Sequence, residues 1–137
     1  MKVVKSALSA ALVIVTLTSA GVLFAQAPGI TRTIVIKGDL SDPAREGVLA
    51  KIDIVAGSVV GWHTHPGDEI GYISDGELVI IVAGQSTRKV GAGQGWVIPA
   101  GVVHNAKNEG ASAVKAVISY YVEKGKPLAS PAPEPKL

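Results

Sequence analysis

The sequence predicts an all-β domain, folded as an antiparallel barrel or sandwich. Between Thr33 and Val122, short segments rich in β-branched residues alternate with glycine-containing turns. In Val48–Ile54, apolar residues recur at every second position, so that one face of the strand is apolar. No part of this region keeps the 3.6-residue period of a helix. The predicted barrel therefore covers residues 33–122.

Nine strands are predicted in this region, each bounded by residues that favour turns. In chain order they are Thr33–Lys37, Val48–Ile54, Val59–Thr64, Ile70–Ser74, Leu78–Val82, Ser86–Val90, Trp96–Ile98, His104–Asn108 and Ala113–Val122. The turns between them contain glycine, as in Asp75-Gly76. Leu78–Val82 is apolar throughout. We therefore expect this strand to be covered on both faces.

The chain begins with a segment typical of a secretory signal peptide. Lys2 and Lys5 form a basic start, and the run from Ala7 to Ala25 has no charged residue. Small residues at the end of the run predict cleavage after Ala25 or Ala27, which makes residues 1–27 the signal peptide. The run of 19 residues also approaches the roughly 20 of a spanning helix, so an uncleaved anchor is the alternative.

Cleavage of this signal would release the domain into the periplasm or the medium, without stable membrane association. The opposite end of the chain differs in composition. Prolines recur among Ala, Ser, Glu and Lys in residues 123–137, and such a segment cannot bury a core of its own. We expect this part of the chain to be an extended, flexible tail.

Composition excludes several classes of function. The 137 residues suffice for one domain, and the chain has no cysteine, which excludes disulfides, thiolate zinc sites and cysteine nucleophiles. The chain has 13 basic and 11 acidic residues, and without Lys2 and Lys5 the two counts are equal. A nucleic-acid surface needs clustered Lys and Arg, so we expect no nucleic-acid partner.

All three histidines of the chain fall close to one glutamate in the predicted fold. His63 and His65 are two residues apart on a predicted strand, which places both on one face. Glu69 begins the next strand after the turn at Pro66-Gly67-Asp68, and His104 begins a later one. A single histidine is more often a surface or core residue than a ligand. The set of four predicts a site for a divalent transition metal.

The spacing around these residues has the form of two motifs. The first is Gly57, five residues, His63-x-His65, three residues, Glu69, six residues, Gly76. The second is Gly93, five residues, Pro99-x-Gly101, two residues, His104, three residues, Asn108, and 16 residues lie between the motifs. In these ten positions the sequence resembles a small, single-domain cupin.

The resemblance implies a jelly-roll barrel with one metal ion bound by His63, His65, Glu69 and His104. The ion would be Fe, Mn, Ni, Cu or Zn, and no organic cofactor is implied. Since small cupins commonly pair through sheet edges, it also implies a homodimer. The motif glycines, Pro99 and Asn108 are interpreted as structural, because turns need conformations that a Cβ penalises.

Several other residues are candidates for the pocket. If Glu69 points inward, strand alternation turns Gly71 inward too, where it either leaves space near the metal or relieves crowding. Tyr120 shares a face with Ala116 and Ile118. It either donates a proton to a substrate, and is then catalytic with Glu69, or anchors the barrel wall. Trp62 and Trp96 are interpreted as packing residues.

The function predicted from this site is a metal-dependent dioxygenase or other oxidoreductase that acts on a small organic molecule. An enol, a diketone or a phenolic compound is expected. Cupins also include isomerases and lyases, and a fold does not select a reaction. A non-catalytic module that binds a small molecule or a metal is the other alternative, since a short domain has few loops for specificity. The apolar inner faces favour a largely uncharged ligand.

Overall fold

The computed structural model describes residues 27–136 of the chain. The predicted signal peptide, with its cleavage after Ala25 or Ala27, lies outside the described residues except for Ala27. Within the described part of the chain, no helix has the length and hydropathy needed to cross a membrane.

Ten strands make up the described fold. Their bounds are β1 Ile30–Asp39, β2 Arg45–Ile54, β3 His63–Thr64, β4 Gly67–Asp75, β5 Glu77–Val82, β6 Arg88–Gly91, β7 Gly95–Ile98, β8 His104–Lys107, β9 Val114–Glu123 and β10 Ser130–Pro131. They form two five-stranded sheets with antiparallel pairing. Sheet A has the order β1-β2-β9-β4-β7, and sheet B has the order β10-β3-β8-β5-β6. The prediction of an all-β, jelly-roll barrel is confirmed.

The core lies between the two sheets and follows strand alternation. In β4, buried residues alternate with exposed ones from Gly67 to Ile73, so Glu69 and Gly71 face inward as predicted. In β9, Ala116, Ile118 and Tyr120 share one face, as predicted, and all three are buried. Four of the six residues of β5 are also buried, which fits a strand covered on both faces. The motif glycines Gly57, Gly76, Gly93 and Gly101 all have positive φ, which explains their place in turns.

One predicted strand, Val59–Thr64, is mostly wrong. Only His63–Thr64 is a strand, and Val59 makes an isolated bridge to Lys107. Gly61 has a φ of 93°, a conformation that ends an extended segment. Its amide donates to the Asn105 side chain at 2.9 Å rather than to a neighbouring strand. Period-two alternation of apolar residues does not reveal this interruption.

The C-terminal segment also differs from the expectation of a flexible tail. Ser130 and Pro131 pair with Thr64 and His63 and so add β10 to the edge of sheet B. The Ala132 amide donates to the Trp62 carbonyl at 2.9 Å, and Leu128 packs against the core. The segment is extended, as predicted, but it is docked, because an extended chain can satisfy an open sheet edge without a core of its own.

Candidate metal centre

Four side chains meet at the inner face of the barrel. His63 lies in β3, His65 directly after it, Glu69 in β4 and His104 in β8. One ligand atom from each of them lies within 4.8 Å of the others, and three of the four residues are buried. His63 and His104 are also direct partners across β3 and β8. The predicted convergence of these four residues is confirmed.

Backbone carbonyls fix the orientation of all three imidazoles. The Nδ1–H groups of His63, His65 and His104 donate to the carbonyl oxygens of Gly61, Leu128 and Val102, at 2.7, 2.6 and 2.9 Å. A carbonyl oxygen only accepts, so the proton of each neutral ring is on Nδ1. The lone pair of each Nε2 therefore remains for a ligand at the centre, an arrangement common to metal-binding histidines.

The surroundings of the Nε2 atoms show whether a metal ion fits the site. Those of His65 and His104 are buried and make no hydrogen bond. Glu69 Oε2 lies 2.8 Å from His65 Nε2 and 3.8 Å from His104 Nε2, but not in the geometry of a hydrogen bond. Buried polar atoms without a partner are costly, and a shared cation would satisfy all of them at once. Three imidazole nitrogens and one carboxylate oxygen fit a divalent transition metal.

The Glu69 carboxylate is held by a tryptophan. Trp96 Nε1–H donates to Glu69 Oε1 at 2.6 Å, and both side chains are buried. The indole occupies the space beside Gly71, its partner across β4 and β7, so that a Cβ at this position would clash with the ring. Gly71 therefore relieves crowding rather than leaving space near the metal. With Oε1 bound to the indole, Oε2 is the oxygen available at the centre.

The centre favours the protonation states that a metal needs. Burial is the main reason that the pKa of His63 falls from 6.5 to about 4, and the neighbouring His104 lowers it further. Burial alone would raise the pKa of Glu69, but hydrogen bonds and positive charge from His104 and His65, when these rings are protonated, hold this pKa well below its usual range. A cation bound at the same place would act in the same direction. Neutral imidazole and ionised carboxylate are the forms that bind cations.

Tyr120 lies beside the centre. It is paired with Glu69 across β9 and β4, its ring centroid is 4.8 Å from that of His65, and only 1% of it is exposed. Burial, followed by the charge of Glu69, raises its pKa above the ordinary value of 10. The hydroxyl therefore stays protonated and able to donate a hydrogen bond. Its predicted catalytic role stays a prediction.

Two cavities adjoin the centre, and His63 lines both of them. An inner cavity of about 40 Å³ is lined by His63, Glu69, His104 and Tyr120 together with apolar core residues. An outer cavity of about 270 Å³ lies between the β1 end of the chain and the docked segment Ala129–Pro131. Four residues line both cavities, namely Ile30, Arg32, Val60 and His63. The inner cavity has room for a group of about the size of water beside the centre, and the outer one for a small organic molecule that reaches into it.

Sequence reasoning missed three contributors to this site. The sequence predicts only a packing role for Trp96 and a flexible tail that includes Leu128, and Arg32 lies before the first predicted strand. Trp96 is hydrogen-bonded to Glu69, 27 residues away in the chain, and Leu128 to His65, 63 residues away. No pattern in the neighbouring sequence predicts either contact. If the register of β4 and β7 had been known, Gly71 opposite Trp96 would have indicated the contact between Trp96 and Glu69.

A family model described as a cupin domain matches residues 50–126 of the chain. Acireductone dioxygenase from Rhodopseudomonas palustris is 46% identical over 59 residues, which is 41% of this chain and 36% of that protein. The chain thus matches little more than a third of the length of this relative.

Solved structures extend the comparison to the whole barrel. A Klebsiella pneumoniae protein with a double-stranded β-helix domain has a TM-score of 0.65 and 18% identity, over 78% of this chain and 87% of that one. An oxalate oxidase in complex with the substrate analogue glycolate has a TM-score of 0.61 and 25% identity, over 86% and 62% of the two chains. The first similarity concerns the fold alone.

Proposed function

The chain belongs to the cupin domain family, and from this premise we propose that it is a metal-dependent oxidoreductase. A dioxygenase that acts on a small enol, diketone or phenolic compound is the specific proposal. The observation that carries it is the convergence of three oriented imidazoles and one carboxylate at the wall of two adjoining cavities. The partial similarity to acireductone dioxygenase and the structural similarity to oxalate oxidase favour oxygen chemistry over a non-redox reaction.

The residues of the chain have distinct parts in this proposal. A bound redox-active divalent ion would supply Lewis acidity and couple the substrate to dioxygen. His63, His65, His104 and Glu69 would hold the ion, each in an orientation that the fold already provides. Tyr120 would donate a hydrogen bond to an oxygen of the substrate. The apolar wall of the inner cavity, which includes Ile98 and Ile118, would exclude bulk water.

To test this proposal, purified protein is loaded separately with Fe(II), Mn(II), Ni(II), Cu(II) and Zn(II). Oxygen uptake is then measured with diketones and catechols. Turnover with a redox-active ion, lost in Glu69→Ala, is the expected result. Glu77→Ala is the matched control, because Glu77 is exposed on β5 and pairs with Lys89 at the surface. Each variant removes one carboxylate from a residue in a strand, but only Glu69→Ala removes it from the metal centre.

Two results would contradict the dioxygenase proposal. Binding of small molecules without turnover for every ion would favour a non-catalytic binding module. Turnover with zinc as well as with the other ions, and without oxygen uptake, would favour an isomerase or lyase, since zinc has no redox chemistry.

We also propose that the protein is exported and forms a homodimer. The basic and apolar start of the chain supports export, and detection of a shortened chain in the periplasmic or secreted fraction would test it. An open strand at the edge of sheet A supports pairing, since β1 has one neighbour among the described strands and exposes Ile34, Val35 and Ile36. Sedimentation of the wild type and of an Ile36→Lys variant would test the dimer.

A further inference from the structure

The backbone between Val59 and His63 is one residue longer than the part of β8 opposite it. Val59 lies opposite Lys107 in an isolated bridge, and His63 lies opposite His104. From Val59 to His63 the chain advances by four residues, and from His104 to Lys107 by three. One extra residue on one side of an antiparallel pair is the defining feature of a β-bulge, which bends the strand and changes the direction of a side chain.

The extra residue decides which way His63 points. Val60 and His63 are three positions apart, so in an uninterrupted strand their side chains would lie on opposite faces. In the structure both line the inner cavity, and Val60 packs against the core. If the pairing at Val59 continued without a bulge, Trp62 would lie opposite His104. The bulge therefore brings His63 to the inner face, directly opposite His104.

A buried asparagine holds this bulge. Asn105 follows His104 in β8 and is only 3% exposed. Its Oδ1 accepts hydrogen bonds from two backbone amides, that of Gly61 at 2.9 Å and that of Ala106 at 2.8 Å. Pairing between the two backbones resumes beside them, where the Val60 amide donates to the Ala106 carbonyl at 2.9 Å. Because buried amides need a partner, the Asn105 side chain supplies the acceptor where the pairing is interrupted.

Gly61 connects Asn105 to the metal centre. Its amide donates to Asn105, and its carbonyl oxygen accepts from the His63 Nδ1–H at 2.7 Å. Its φ of 93° is one that residues with a side chain rarely adopt, although a Cβ at this position would meet no atom within 4 Å. The requirement for glycine is therefore conformational, and the hydrogen bond to Asn105 stabilises the conformation that presents the carbonyl to His63.

We propose that Asn105 is a positioning residue of the metal centre, which fixes the orientation of His63 through Gly61. Asn105 lines neither cavity, so it acts on a bound ion only through the ligand. The proposal rests on the proposed function, since it takes His63 as a metal ligand. Loss of a direct hydrogen-bond partner of a ligand lowers metal affinity by about 10 to 100-fold. Because Asn105 acts through one further residue, an effect at the lower end of this range is expected.

The test combines Asn105→Leu, which removes the acceptor but keeps a side chain of similar size, with His63→Ala. Calorimetry with Zn(II) should show an affinity about tenfold below that of the wild type in Asn105→Leu. The same substitution in the His63→Ala protein should change zinc affinity by less than about twofold, because the residue through which Asn105 acts is absent. A general effect on the fold would lower the affinity equally in both proteins.

Val90→Ala is the control for lost stability, because Val90 is buried in β6 and lines neither cavity. It should lower resistance to urea and leave zinc affinity unchanged. Gly61→Ala disturbs the same route in another way, since alanine disfavours the φ of Gly61. It should lower zinc affinity in the wild type but not in His63→Ala, and it decides the matter if Asn105→Leu does not fold.

Unchanged zinc affinity in folded Asn105→Leu, or an equal loss in His63→Ala, would overturn the role of Asn105 and leave the metal centre intact. The same two results for Gly61→Ala would overturn it if the asparagine variant does not fold. Absence of zinc binding by the wild type would instead overturn the proposed function, and the role of Asn105 with it.

Discussion

Glu69 and the pair His63 and His65 converge on one centre, but the fold holds them in different ways. Glu69 lies within the nine-residue strand β4, which is hydrogen-bonded to β9 on one side and to β7 on the other. His63 lies in the two-residue strand β3, and His65 follows it outside any strand. The carboxylate is thus positioned by the interior of a sheet. The two imidazoles are positioned by a two-residue strand beside the edge strand β10 and by one hydrogen bond from each ring to a backbone carbonyl.

The difference indicates where stability and metal affinity are coupled. Changes around Glu69 disturb strand pairs that also build the core, so they should affect both the metal and the fold. Changes around His65 act through one carbonyl oxygen, that of Leu128 in the docked C-terminal segment, and should affect mainly the metal. Two variants test this contrast, with the larger expected effect first, and a third measurement tests the protonation of His63.

Trp96→Phe removes the indole N–H that binds Glu69 Oε1 and leaves a buried carboxylate oxygen without its partner. Loss of such a supporting hydrogen bond lowers metal affinity by about 10 to 100-fold. The free energy of unfolding should also fall, by about 1–3 kcal/mol, because an acceptor is left buried and the space of the indole is only partly refilled. Calorimetry with Zn(II) and urea unfolding measure the two effects.

Trp62→Phe is the control for this variant, since Trp62 is half-buried at the outer cavity and donates to no metal-binding residue in the described structure. Its zinc affinity should match that of the wild type. Unchanged zinc affinity in Trp96→Phe would mean that the sheet alone orients the carboxylate.

A chain that stops after Pro127 lacks Leu128 and β10 and leaves the His65 Nδ1–H without its acceptor. We expect zinc affinity to fall by about tenfold, since the ring then loses its fixed orientation. The strands of sheet A are intact in this protein, so its far-ultraviolet circular dichroism should be unchanged.

A chain that stops after Ala132 is the matched control, because it keeps the Leu128 carbonyl, β10 and the hydrogen bond from Ala132 to Trp62. Full zinc affinity is expected for it. If the shorter chain also kept full affinity, the contrast between the two regions would not hold for His65.

The metal-free protein should lose stability in acid over a range set by His63. Its pKa is lowered in the folded state from 6.5 to about 4, so the unfolded chain binds more protons between these values. Stability is therefore complete above about pH 6.5 and falls as the pH decreases towards 4, by at most about 3 kcal/mol. The pKa of Glu69 is also lowered in the folded state, so its protonation should decrease the stability of the fold further at a lower pH.

Urea unfolding of the metal-free protein at pH 7 and pH 4.5 measures this effect, and His63→Gln should reduce the difference between the two. An equal difference in the wild type and in His63→Gln would assign the acid sensitivity to another group. Zinc should suppress the loss of stability, since it binds the neutral imidazole only.

The sequence allowed prediction of the fold class because alternation and turns are local patterns. Gly76 and Gly93 mark turns at positive φ, and the inward face of β4 follows from the period of two. The strand Val59–Thr64 was predicted wrongly, since its interruption at Gly61 depends on the side chain of Asn105, 44 residues later. The sequence does not predict that the C-terminal segment pairs with sheet B, because the composition of a segment does not reveal whether a sheet edge is open to it.

The identities of the four residues at the centre were determined by the sequence alone, since their order and spacing lie within two short motifs. Only the tertiary structure decided what orients them and what shares their cavities. Trp96, Leu128 and Arg32 each reach the site from a distant part of the chain, through strand register and edge pairing. Register is a property of two strands together, and neither strand specifies it alone.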